Sequence, residues 1–132
     1  MREILFRGKF SEKSRWSYGD LYTDHGKVYI ATRDMMHGVR VHEEVIPDTV
    51  GQFTGLMDNH GRKIFEGDIV RYAIYPPDQF VHGVVNYKDG VFRIGDQGCA
   101  LCVCAADGID EYRLEVIGNI HDNPEFLKVG EA

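Results

Sequence analysis

Apolar residues in this chain recur at every second position. Ile4 and Phe6, then Val70, Tyr72 and Ile74, then Val81, Val85 and Tyr87 each fall on one side of an extended segment. Alternate side chains of a strand point to opposite faces, so this spacing predicts half-buried β-strands and no long amphipathic helix. The strands are separated by glycine-bearing turns. Asp24-His25-Gly26-Lys27 joins the segments 16–23 and 28–32, and Lys88-Asp89-Gly90-Val91 joins 80–87 to 92–94. Asp89 and Gly90 suit the type I′ turn that right-twisted strands favour.

The remaining boundaries follow from the same signals. Residues 33–38 read as a loop, 39–46 as a strand stopped at Pro47, and 58–61 as a second turn cluster. Gly55, Gly61 and Gly67 read as turn glycines, where a positive φ or close packing excludes other residues. Asp68 is placed to accept a backbone N–H at the entry to the next strand. Pro76 and Pro77 end that strand, since neither can donate to a ladder. Residues 99–105 and 111–120 complete the strand set. Asn123 then caps, and Pro124 opens, a short C-terminal helical turn. The expected architecture is mainly β: an N-terminal curled β layer, residues 1–54, packed on a small closed β-barrel, residues 55–132. Closure is one way a small sheet removes its edges.

Composition narrows the function. The 132 residues carry a net charge of −6, which is a poor match to a protein that coats phosphate. The charge is uneven: residues 1–15 hold five basic side chains against two acidic ones. A solvated strand edge accounts for that stretch. The three cysteines, Cys99, Cys102 and Cys104, are too few and too close for a disulfide framework, and free thiols suit a cytoplasm. A zinc site wants four ligands, often in two paired motifs, and only one cluster exists. A thiol nucleophile built from Cys102, His82 and Asp107 has no surrounding signature, and an apolar strand would raise the thiol pKa. Phosphate-loop and dinucleotide fingerprints are absent from the sequence. No apolar stretch reaches the length of a membrane span. The reading is therefore of no catalytic residues, no metal and no cofactor.

Four strings in order and spacing carry a resemblance over nearly the whole chain. They are Met1-Arg2-Glu3-Ile4 through Phe6-Arg7-Gly8-Lys9, residues 50–56 (VGQFTGL), residues 66–70 (EGDIV), and residues 115–120 (EVIGNI) with Asn123-Pro124-Glu125. Together they resemble the YopX family of phage and prophage proteins. The resemblance implies a phage or prophage origin, a bacterial cytoplasm, and a mostly β fold whose C-terminal part is similar to an SH3-like barrel. It implies no activity and transfers no site residues.

Elimination leaves protein interaction as the first reading. Its candidate residues are the aromatic pair Trp16 and Tyr18 and the proline-stiffened loop of Tyr75, Pro76, Pro77 and Phe80, because recognition often sits on loops of a rigid scaffold. The alternative is a nucleic-acid-binding small barrel, in which Tyr72, Tyr75, Tyr87 and Phe92 would stack bases beside Arg71 and Arg93. A metal- or thiol-dependent enzyme is the remote third. Oligomeric state stays open, since free edges in the N-terminal lobe offer pairing between copies.

Overall fold

The computed structural model describes residues 1–10, 15–74, 79–95 and 114–130. These residues are mainly strand, arranged in two antiparallel sheets, with one α-helix. The chain divides into two compact units, Met1–Phe53 and Thr54–Ala132.

The first unit is built from β1 (Phe6–Lys9), β2 (Trp16–Asp24), β3 (Lys27–Met36), β4 (Val39–Glu44) and the start of β5 (Gly51–Met57). The strand order is β4-β3-β2-β1-β5. His25 and Gly26, with φ of 50° and 77°, form a two-residue turn between β2 and β3. His37 and Gly38, at 54° and 79°, do the same between β3 and β4. Positive φ at two consecutive residues is the type I′ requirement. The expected loop at 33–38 is therefore a correction: β3 runs to Met36 and only His37 and Gly38 turn. The ladder slips between Ala31 and Met35, and that irregularity breaks the alternation by which a strand is recognised.

Beyond β4 the chain curls back. Val45 bridges Phe10, and the Ile46 N–H donates to the Lys9 carbonyl at 2.9 Å. This approach needs Gly8, where a Cβ would lie 2.9 Å from the Val45 side chain. Gly19 is tighter still, since a Cβ there would sit 2.1 Å from the Ala31 carbonyl oxygen. Ile30 and Val45 are buried, and so is Glu43, which accepts hydrogen bonds from the Ser17 hydroxyl at 2.9 Å and from the Arg15 guanidinium. The basic N-terminal stretch is not an edge as expected. β1 has β2 on one side and β5 on the other, and Arg7 is buried.

In the second unit β5 continues to β6 (Lys63–Phe65). A second sheet follows in the order β10-β7-β8-β9, with β7 (Asp68–Ile74), β8 (Gln79–Lys88), β9 (Val91–Ile94) and β10 (Glu115–Asn119). β8 pairs with β7 through Val84 and with β9 from Val85 onward. The core is Ile64, Val70, Val85, Ile94, Leu114 and Val116, lapped by Leu56, Tyr72 and Phe92. Each aliphatic side chain buried here contributes roughly 1.5–3 kcal/mol relative to exposure. Phe53 and Phe65 are buried, but Tyr18, Tyr22, Phe80 and Tyr87 are exposed. Branched aliphatics fill the thin space over these short strands, and the rings are displaced to outer faces and strand ends.

Two buried aspartates pin this unit. Asp58 accepts the N–H of His60 at 2.9 Å, of Arg62 at 2.8 Å and of Val116 at 3.0 Å. Asp68 accepts the Phe65 N–H at 2.7 Å. Gly61 and Gly67 beside them have φ of 78° and 89°, Gly55 in β5 has 88°, and Asp89 and Gly90 have 54° and 80° in the β8–β9 turn. Among the described residues the sheets do not close into a barrel. The strand expected at 99–105 and the first residues of the one expected at 111–120 lie outside the described residues.

α1 (Glu125–Gly130) ends the described chain. The Asn123 side chain does not cap it as expected. Its carbonyl accepts the Asn119 N–H at 3.3 Å, turning back toward β10 rather than forward into the helix.

Candidate interaction surface

In the first unit, alternation along β2 places Trp16, Tyr18, Asp20 and Tyr22 on one face. Arg7 and Lys9 of β1 stand directly opposite Tyr18 and Trp16, and Tyr29 of β3 stands opposite Tyr22. His42 of β4 stands opposite Ala31 and shares this face. The row runs across four strands, so its geometry is fixed by backbone ladders rather than by loops.

The Arg7 guanidinium lies 4.6 Å from the centre of the Trp16 ring, and the Lys9 ammonium 5.9 Å from it. A cation over an indole face is attracted by the ring quadrupole, and here it also fixes the ring's orientation. Tyr18 is 44% exposed. Tyr22 and Tyr29 stack with centroids 5.2 Å apart, and the Tyr22 hydroxyl meets Nδ1 of His42 at 2.7 Å. The Trp16, Tyr22 and Tyr29 rings are therefore each held by a neighbour, which lowers the entropy lost when a partner binds.

Between the two aromatic groups lies a charged knot. Asp20 meets Arg40 at 2.6 Å and Arg33 at 3.7 Å, and Arg33 also reaches Glu3 at 3.0 Å. Arg40 further donates to the carbonyls of Thr32 at 3.0 Å and Ala31 at 2.7 Å, filling the gap where the β3–β4 ladder slips. The hydrogen bond from Arg40, with the charge of Arg33 beside it, holds the Asp20 carboxyl below the usual carboxylate range.

Of the residues predicted for binding, Trp16 and Tyr18 fall together on this face. Phe80 belongs to the second unit, where it is 39% exposed and carries the Arg71 guanidinium 4.7 Å from its centre. Tyr75, Pro76 and Pro77 lie outside the described residues. Tyr22, Tyr29 and His42 were not singled out from sequence. The alternation of Trp16, Tyr18 and Tyr22 on β2 was the available signal. Of the expected turn residues, Gly61, Gly67, Asp89 and Gly90 lie in turns, Asp68 opens β7, and Gly55 lies within β5 at a positive φ.

The rival chemistries find less. Among the described residues, no three His, Cys, Asp or Glu side chains gather as a metal site would require. Cys99, Cys102, Cys104 and Asp107 lie outside the described residues, so the thiol reading has only His82 within them. Of the described members of the base-stacking set, Tyr72 and Phe92 lap the second unit's core and Tyr87 is exposed; Tyr75 lies outside the described residues. No helix of the described residues is long and apolar enough to cross a membrane.

A mainly β protein of two compact units, with an ordered aromatic and cationic sheet face, is the class these features define. The chain belongs to the YopX family: residues 5–128 match the model described as YopX protein. Among solved structures it is similar to protein EF1440 from Enterococcus faecalis, with a TM-score of 0.64 and 23% sequence identity over 96% of this chain and 99% of that one. At that identity the likeness speaks for the fold alone. No curated protein sequence matches the chain.

Proposed function

We propose that this chain is a non-enzymatic protein-interaction module of phage or prophage type, acting in the bacterial cytoplasm. The observation that carries this reading is the Trp16–Tyr18–Tyr22 row, with Arg7 over the Trp16 ring and His42 edge-on to Tyr22. Trp, Tyr and Arg are the residues most enriched where protein interfaces concentrate their binding energy. The row is rigid, amphipathic and partly solvent-facing, as an interface anchor must be before its partner arrives.

Binding to nucleic acid on the same face is the weaker reading. Phosphate contacts need uncommitted cations, and here Arg33 and Arg40 are spent on Asp20, Glu3 and backbone carbonyls. We read the second unit as SH3-like. In support, β8 serves β7 with one half and β9 with the other, and strands that switch neighbours in this way turn the corners of small antiparallel barrels.

The experiment is affinity capture from a bacterial host lysate with the wild-type chain and with Tyr18→Ala, beside a titration with single-stranded DNA at low and high salt. The module reading expects a stoichiometric protein partner that Tyr18→Ala loses, and no salt-sensitive DNA binding. DNA binding that weakens steeply with salt, or a partner indifferent to Tyr18→Ala, would set the reading aside.

A further inference from the structure

No further inference is drawn: the strongest candidate, the Arg71–His82 pair standing side by side on the β7–β8 ladder, carries no ligand site, because the two nitrogens left without a partner, Nε of Arg71 and Nδ1 of His82, are sealed from solvent, and the Arg71 guanidinium already faces Glu115 at 3.8 Å and the Phe80 ring at 4.7 Å.

Discussion

Replacing Asp58 with Ala removes the acceptor for three backbone N–H groups at once. Two belong to the turn, His60 and Arg62, and are accepted by Oδ1. The third, from Val116 of β10, is accepted by Oδ2 at 3.0 Å across a sequence separation of 58 residues. A hydrogen bond to a charged group is worth about 1.5–3 kcal/mol net when its loss leaves the partner buried. His60 and Arg62 are exposed, so water can replace much of what their amides lose. Val116 is 7% exposed, and its N–H has no such recourse. The Val116 bond therefore costs about 2 kcal/mol, and the two turn bonds together add about 1 more. The expected loss is about 3 kcal/mol, a large fraction of the stability of a small domain. Asp58→Asn keeps Oδ1 for the turn but presents an amide N–H₂ to the Val116 N–H, so it should lose about 2 kcal/mol through that single contact. Urea unfolding of the two variants measures both losses, and the alanine variant's midpoint should fall by about 2 M. A loss below about 1 kcal/mol for Asp58→Ala would refute the reasoning. So would an Asp58→Asn variant as stable as wild type, because the third bond would then carry nothing.

Three further outcomes follow. Gly19→Ala forces a Cβ to within 2.1 Å of the Ala31 carbonyl, which is backbone and cannot swing away, so thermal melting should show a loss of at least about 2 kcal/mol. Asp20 should titrate below its reference value of 3.8 when followed by carboxyl NMR, and Arg40→Gln should move the midpoint back up. A lowered carboxylate pKa adds stability above the unfolded value that is lost as pH falls through the folded one, so this contribution fades as pH drops below 3.8. Tyr72 is held above its reference value of 10.0 by burial. Its ionisation, taken as the absorbance difference between wild type and Tyr72→Phe, should have a midpoint above 10.0, with the associated stability falling as pH rises past that value.

The sequence was legible where one local rule was enough. Gly26 and the Asp89-Gly90 pair announced their hairpins because a type I′ turn demands positive φ. Val70 and Val85 lay on faces predicted by alternation and sit in the core. Legibility failed where tertiary packing overrode the local signal. His37 takes a positive φ without being glycine or asparagine, and the slipped ladder before it hid the end of β3. Arg7 and its basic neighbours looked like edge protection, yet β1 is flanked on both sides, and Arg7 is covered in part by Trp16. Glu43 is buried on Ser17 and Arg15, a pairing of residues 26 and 28 positions apart that no local pattern announces. The candidate surface was half visible. Trp16 and Tyr18 alternate within one strand, whereas His42 reaches Tyr22 only because two turns bring β4 round beside β3.

Hydrogen exchange on the captured complex, compared residue by residue with the free protein, bears most directly on recognition by the outer face of β2. Slowed exchange should concentrate in residues 16–24 and the neighbouring amides of 27–32, with the amides of 79–94 unchanged. Slowing confined to 79–94, or none in 16–24, would contradict the assignment of binding to the Trp16–Tyr22 row.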